Sequence, residues 1–327
     1  MNMDMGTLPP WGSGAWGQWQ LPPEALILCL VALGLYALGL RRLARAGVRM
    51  SRWRVASFVV GLVALVVTLA SPIDRYAMSL FWVHMVEHLL LIMVAPTFLV
   101  LGRPLTVIGA ALGREVRAWG RALSLLVHPV VAFALYAAVI IGTHLTGFMD
   151  SMSMHAWLMD AEQVGYLIAG FLLMEAMVGS EPVRWRLPYA GRLLFMLVSM
   201  VPDTLVGIVL MQSQHTPFPM YMSMRPTWAL AAHQDIVTAG GIMWAGGDIL
   251  MMLMGFGIAA AALWGPSRGD LLGERLNRAR HQTLIGHLAA AGVDVDSVGD
   301  VATDDSDAAL DAYNEMLARL AKSDPGR

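Results

Sequence analysis

The chain has 327 residues, of which 57% are hydrophobic and only 14% are charged, and its formal net charge is −2. Soluble domains carry about 25% charged residues, so this composition excludes an ordinary soluble globular protein. Cysteine and lysine each occur once, at Cys29 and Lys322. These counts exclude a disulfide framework, a Cys-x-x-Cys metal or redox site, and a retinal Schiff base in a late helix.

The chain begins with residues 1–23, which contain no Lys or Arg and therefore lack the charged start of a secretory signal peptide. Seven apolar segments follow, each long enough to cross about 30 Å of hydrocarbon. They are roughly 24–40, 53–70, 79–101, 122–144, 158–178, 191–212 and 233–264. The sequence therefore predicts an all-α membrane protein, with a seven-transmembrane helix bundle over residues 24–264.

Arginine is concentrated in alternate loops. The basic segments are 41–54, 102–123, 181–192 and 268–280. The loops on the opposite side, at 71–78, 145–157 and 213–232, contain only Arg75 and Arg225. Because cytoplasmic loops carry the excess of positive charge, we expect the N-terminus, with residues 1–23, to lie outside and the C-terminus in the cytoplasm.

Residues 265–327 are predicted to form a partly helical cytoplasmic tail. Its first part is basic, and its middle, "VDVDSVGDVATDDSDAALD", is rich in Asp and expected to be flexible. The segment "DAALDAYNEMLARLAKS" has Ala and Leu at helical spacing and is a candidate docking helix.

The third span opens with "HMVEH", which contains His84, Glu87 and His88. Positions i, i+3 and i+4 share one face of a helix, so these side chains converge. They lie on the order of 8–14 Å inside the span, where ionisable groups usually mark function. A His pair with this spacing can offer two nitrogens to one metal ion at about 2.0–2.1 Å.

Other polar residues of the apolar segments are expected at a similar depth. His144 ends the fourth span and is the third candidate ligand, beside His84 and His88. The supporting candidates are Glu87, Glu162, Asp203 and Asp235. A deeper group is expected to form a structural hydrogen-bond network: His128, Glu175 and Asp248.

The loops predicted to lie outside are rich in methionine. They read "MNMDM", "FMDSMSMHAWLMD" and "QSQHTPFPMYMSMRP". Methionine is usually a flexible filler, but exposed loops have no core for it to fill. Thioether sulfur selects Cu(I), and imidazole also suits copper. The candidates for copper capture are Met152, Met154, His155, Met159, His215, Met220, Met222 and Met224; Met1, Met3, Met5 and Met149 share the pattern.

Two other metal sites fit the same histidines. "HMVEH" matches the H-x-x-E-H zinc-protease pattern, in which Glu87 would be the catalytic base, but the pattern is short and needs a third ligand. A haem held between His144 and either His84 or His88 is the second alternative, because axial His pairs can span two helices.

The segment "SPIDRYAMSLFWVHMVEHLLLIMVAPTFLVLGRPL" (71–105) resembles the signature of the seven-helix CtaG family of bacterial cytochrome c oxidase assembly factors. Ser-Pro-x-Asp, His-Met-x-x-His, Ala-Pro and Leu-Gly-x-Pro-Leu occur in that order. Weaker similarity extends over roughly residues 20–265, including "HLTGFMD" (144–150) and "QDIVTAGGIMWAGGD" (234–248). In "DAEQVGYLIAGFLL" (160–173) Gln163 stands where the family usually has a histidine, and His155 or Met159 is a candidate substitute.

The resemblance implies a membrane assembly factor that handles copper for a haem-copper oxidase. We expect it to be non-enzymatic and, because of the methionine-rich loops, to bind copper as Cu(I). Carried over by position, His84, His88, His144 and Asp235 are its functional candidates. The expected setting is the bacterial plasma membrane, with oxidase subunits and membrane lipids as partners and no nucleic acid. The alternatives are a non-catalytic accessory subunit of a respiratory complex, an intramembrane zinc metalloprotease and a copper importer.

Overall fold

The computed structural model describes residues 8–12, 14–114, 124–215 and 217–264, and the regular secondary structure of these residues is entirely helical. The predicted tail, the start of the fourth predicted span and the methionines Met1, Met3 and Met5 lie outside these residues. The described helices belong to one compact unit, Met1–Ala262, which the last helix exceeds by two residues.

Thirteen helices of the described residues are numbered here in chain order. The long ones are α1 (Pro23–Arg45), α2 (Arg52–Ala70), α7 (Pro129–His144), α9 (Ala156–Met177), α10 (Tyr189–Gln212) and α13 (Gly247–Trp264). The shorter ones are α3 (Pro72–Ala77), α4 (Phe81–Leu89), α5 (Ala95–Leu101), α6 (Pro104–Ala111), α8 (Phe148–Met154), α11 (Pro219–Ser223) and α12 (Ala232–Gly241). Two π-helical turns, Leu90–Val94 and Ile242–Gly246, join α4 to α5 and α12 to α13.

The chain is a multi-pass membrane protein. Five helical stretches of the described residues are long and apolar enough to cross a membrane: Pro23–Arg45, Arg52–Ala70, Phe81–Leu101, Tyr189–Gln212 and Ala232–Leu263. The helices α7 and α8 meet at a bend of 68°, and if they are counted together as one span the described residues contain six candidate spans. The fifth predicted span is the continuous 22-residue helix α9, whose polar residues, Asp160, Glu162, Gln163 and Glu175, lower its hydropathy.

Two parts of the family-like signature are helix starts. Ser71 accepts a hydrogen bond from the backbone N–H of Ile73 at 3.2 Å, and Pro72 occupies the first turn of α3, so Ser-Pro caps that helix. Arg103 adopts a left-handed backbone with φ of 56°, immediately before Pro104 begins α6. The Leu-Gly-x-Pro-Leu motif therefore marks the break between α5 and α6.

The third membrane helix changes its winding directly after the histidine motif. Pro96 has no N–H to donate to the carbonyl of Ile92, and the π-helical turn lies at this point. Gly170 of α9 packs against that carbonyl so closely that a Cβ there would lie 2.2 Å from the oxygen. This contact fixes α9 beside the π-helical turn that follows α4, and we infer that it helps to set the distance between the polar residues of the two helices.

Candidate metal centre

Three histidines from two helices converge inside the bundle. His84 and His88 of α4 and His144 at the end of α7 each offer a ring nitrogen, and these atoms lie within 4.8 Å of one another. The three side chains are 1%, 3% and 1% exposed. Their spacing on α4 confirms that His84 and His88 share one face, and the end of α7 supplies the third imidazole from across the bundle.

The ring of His144 is held in one tautomer by its own helix. Its Nδ1 lies 2.9 Å from the backbone carbonyl oxygen of Ile140, and because a carbonyl only accepts, Nδ1 carries the proton. The other nitrogen, Nε2, is then an unprotonated lone-pair donor, and it is buried without a hydrogen-bond partner among the described residues. A second ring nitrogen fixed in this way is typical of metal-binding histidines.

The two histidines of α4 also present buried nitrogens without partners within the described part of the chain. These are both ring nitrogens of His84 and Nδ1 of His88. Glu162 of α9 lies beside them, with its two oxygens 3.7 Å from Nε2 of His84 and 3.8 Å from Nε2 of His88. The site thus combines imidazole nitrogens with the buried carboxyl group of Glu162, which lies close to two of the rings.

A pair of hydroxyl groups joins Glu162 to His144. The Tyr166 hydroxyl donates to Glu162 Oε1 at 3.0 Å and contacts Thr143 Oγ1, which in turn lies 2.9 Å from Nδ1 of His144. Sequence reasoning missed both Tyr166 and Thr143. The available signal was their position, because Tyr166 lies four residues after Glu162 on the same helix face and Thr143 adjoins His144.

Asp235 has a different position from the histidines. Its two carboxylate oxygens accept the backbone N–H groups of Phe81 at 3.0 Å and Trp82 at 2.9 Å. Leu80, the residue before α4, has no side chain that could cap the helix. Asp235 of α12 therefore caps α4 from a distant part of the chain, and it fixes the height of His84 one turn below.

Gln163 of α9 joins two carboxyl groups. Its amide nitrogen donates to Asp74 Oδ1 at 2.8 Å and to Glu87 Oε1 at 2.7 Å. Glu87 also lies 4.0 Å from Nδ1 of His84. Asp74 belongs to α3, between two spans, and burial raises its pKa to about 6. The sequence prediction did not include Asp74, although it lies in the signature segment.

The remaining polar candidates make contacts away from the three histidines. Asp203 of α10 is 2% exposed, and its Oδ2 would lie 1.8 Å from a Cβ at Gly247, so it packs against the start of α13. Among the deeper residues, the His128 ring caps α7 by accepting from the Val130 N–H at 3.2 Å. Glu175 accepts the Glu181 N–H at 3.3 Å, and Asp248 accepts from Thr204 at 3.4 Å.

Most of the methionine candidates pack into the bundle, because the loops that carry them fold as α8, the start of α9, and α11. Asp150 of α8 accepts the N–H groups of Met220 and Tyr221, which ties α8 to α11. The premise that methionine has no core to fill there is wrong for several positions. The buried methionines are Met149, Met152, Met159 and Met222, and Met224 is partly buried. The exposed candidates are Met154, His155, His215 and Met220.

Comparison with known proteins adds a family to this geometry. The family described as "Cytochrome c oxidase caa3 assembly factor (Caa3_CtaG)" matches residues 34–264. Uncharacterized proteins of Mycobacterium bovis and Mycobacterium tuberculosis are each 29% identical over 307 residues, covering 90% of this chain and 43% of theirs. An uncharacterized protein of Mycobacterium leprae is 28% identical over 307 residues, which cover 89% of this chain and 43% of the relative.

The chain thus spans less than half the length of these curated relatives. No solved structure matches it. The family match runs from within α1 to the end of α13, and it includes the three histidines and the carboxylates around them. The chain belongs to the family of cytochrome c oxidase caa3 assembly factors.

Proposed function

We propose that this assembly factor takes up Cu(I) as cargo in the cluster of His84, His88 and His144, and that it passes the ion to a cytochrome c oxidase subunit. One observation carries the proposal: three buried imidazoles converge, with their ligand atoms within 4.8 Å, and several of their nitrogens have no partner within the described residues. An unpaired buried polar atom costs about 1–3 kcal/mol. A bound metal ion would satisfy these atoms.

The donor set suits a copper ion. Imidazole is a good copper ligand, and metal–nitrogen bonds of about 2.0–2.1 Å would draw the three rings inward by roughly an ångström. Glu162, close to two of the rings, would offset the positive charge of the ion in an apolar setting. The Tyr166 and Thr143 hydroxyls would hold the ligands in place as a supporting layer.

The arrangement in the membrane is part of the same proposal. We assign seven spans, with α7 and α9 contributing to the fourth and fifth, and place the N-terminus outside the plasma membrane because of the arginine-rich alternate loops. The histidine cluster then lies near the outer surface, beneath α8 and α11. The exposed Met154, Met220, His155 and His215 are the candidates for first contact with copper.

The role we propose is not catalytic. In the zinc-protease alternative, Glu87 would activate water, but its Oε1 accepts the Gln163 amide and its Oε2 faces His84. We assign Glu87 to positioning His84. The protease alternative requires bound zinc, and Glu87→Gln should then keep the metal and abolish cleavage of a substrate.

The experiment that tests the function is complementation of a deletion strain, with the copper content of purified oxidase as the measurement. Without the assembly factor, the oxidase polypeptides should be present but deficient in copper, while cytoplasmic copper proteins keep theirs. The His84→Ala/His88→Ala double variant should fail to restore copper, and His128→Asn, which keeps a cap on α7, should restore it. Full restoration by the double variant contradicts the proposal, and loss of copper from all cytoplasmic proteins favours an importer.

A further inference from the structure

Gln163 lies between a partly buried carboxyl group, that of Asp74, and the fully buried one of Glu87. Its amide nitrogen is 2.8 Å from Asp74 Oδ1 and 2.7 Å from Glu87 Oε1, so one neutral group holds together two acids from α3 and α4. Asp74 and Gln163 are partly exposed, whereas Glu87 is 1% exposed. The three side chains therefore lead from the end of the bundle that carries α3 to the interior.

The line of acidic groups extends outward from Asp74. Asp160, at the start of α9, is exposed. Its carboxylate is near enough that its negative charge contributes to the raised pKa of Asp74, after the larger effect of burial. Acidic side chains that line a cleft with apolar walls attract cations and raise their local concentration.

The inner end of the line meets an unpaired ligand of the metal cluster. Nδ1 of His84 lies 4.0 Å from Glu87 Oε2, and Nε2 of the same ring lies 3.7 Å from Glu162 Oε2. Both nitrogens are buried without a hydrogen-bond partner within the described part of the chain. The His84 ring thus stands between the carboxylates of the line and the carboxylate of the cluster.

We propose that Asp74 and Glu87 form a transit site through which the metal cation reaches the histidine cluster, and that the Gln163 amide occupies the cation's place between passages. The proposal rests on the proposed function. Carboxylate oxygens are weak ligands for a soft ion, while imidazoles bind it better, so affinity increases inward along the route. A neutral amide at residue 163 holds the two acids together without adding a positive charge that would repel the cation.

The experiment measures the rate of copper loading into the purified full chain in lipid nanodiscs. Cu(I) is supplied by rapid mixing as its acetonitrile complex, which is a cation, and the copper not yet bound is measured at each time by its colour with added bicinchoninate. Asp74→Asn should slow loading by about 10-fold or more and leave the final occupancy unchanged. Added salt should slow the wild type more than this variant, because the charge that attracts the ion is gone. Asp74→Glu, which keeps the charge, should load faster than Asp74→Asn.

Glu175→Gln is the matched control. It removes another buried carboxyl of α9, and Glu175 lies 13 residues from Glu162, about 20 Å along the helix. It should load at the wild-type rate. Glu87→Gln is the second variant of the route, for use if Asp74→Asn unfolds, and it should also load more slowly than the wild type.

The outcomes separate the route from the function. If the wild type loads and both Asp74→Asn and Glu87→Gln load at its rate, the transit site is wrong while copper binding stands. If Asp74→Asn loses final occupancy instead of rate, the Asp74 carboxylate belongs to the binding site itself, and the transit site is again wrong. If the wild type takes up no Cu(I), the proposed function and the route fall together.

Discussion

Nδ1 of His144 donates to the carbonyl oxygen of Ile140, one turn earlier on α7, over 2.9 Å. This bond commits the other nitrogen, Nε2, to face His84 and His88 as a lone-pair donor. The same Nδ1 lies 2.9 Å from Thr143 Oγ1, which contacts the Tyr166 hydroxyl. The His144 ring, our proposed third ligand, is therefore already oriented by Ile140 and Thr143 in the absence of a metal ion.

Removing the Tyr166 hydroxyl should weaken metal binding without abolishing it. Tyr166→Phe frees both Thr143 and Glu162 from their shared partner, and loss of such supporting bonds typically costs 10- to 100-fold in affinity. Competition with a Cu(I) chelator would measure the change.

The control for that prediction is another fully buried tyrosine on the helix of His144. The Tyr136 hydroxyl has no hydrogen-bond partner in the described ranges, so Tyr136→Phe should leave the affinity unchanged. Equal losses in Tyr136→Phe and Tyr166→Phe would contradict the supporting role of Tyr166.

Two glycines of α9 should respond in opposite ways to alanine. At Gly170 a Cβ would lie 2.2 Å from the Ile92 carbonyl oxygen, so Gly170→Ala must push α9 away from the π-helical turn that follows α4 and should destabilise the protein by about 1–3 kcal/mol. At Gly165 a Cβ would meet no heavy atom of the described residues within 4 Å, so Gly165→Ala should be neutral or stabilise the helix by up to about 1 kcal/mol.

Thermal unfolding in detergent would rank the two glycine variants against the wild type. Gly170→Ala should also bind Cu(I) more weakly, because the displacement separates Glu162 from His84 and His88. Equal stability of the two variants would show that the close approach of the helices does not limit the site.

The effect of a Met→Ala substitution on stability should depend on whether the methionine is buried. Met149 is 0% exposed in the main core, so Met149→Ala should destabilise by about 2–5 kcal/mol. Met154 is 65% exposed, so Met154→Ala should change stability by less than about 0.5 kcal/mol.

If Met154 captures copper, its variant should slow copper uptake from a dilute solution. An uptake rate identical to the wild type in a Met154→Ala/Met220→Ala variant would remove these thioethers from the proposal.

Stability should depend on pH through Asp74. Burial raises its pKa from 3.8 to about 6, so between these values the folded state binds a proton that the unfolded chain has released. The contribution of Asp74 to stability is therefore largest below about pH 4, decreases as the pH rises through about 6, and is constant above that. Asp74→Asn should remove this part of the pH dependence of the unfolding temperature. If the unfolding temperature of Asp74→Asn changes with pH between about 4 and 6 as steeply as that of the wild type, the raised pKa of Asp74 is not the cause of the dependence.

The sequence predicted the cluster better than its surroundings. The spacing of His84 and His88 sets them on one helix face whatever the neighbours are, and similar depth in the membrane was enough to bring in His144 and Glu162. The bonds of Tyr166, Gln163 and Asp235 depend on the rotation and height of neighbouring helices, which hydrophobic periodicity does not determine. The methionine pattern misled because its loops fold into short helices that have a buried face.

Copper stoichiometry of the purified protein tests the central claim most directly. Cu(I) would be added in the presence of a competing chelator, and metal and protein would be measured after removal of the excess. The wild type and His128→Asn should each retain about one ion per chain in the cluster, while His144→Ala and the His84→Ala/His88→Ala double variant should lose it. Unchanged retention in both cluster variants, with folding intact, would contradict the histidine cluster as the copper site.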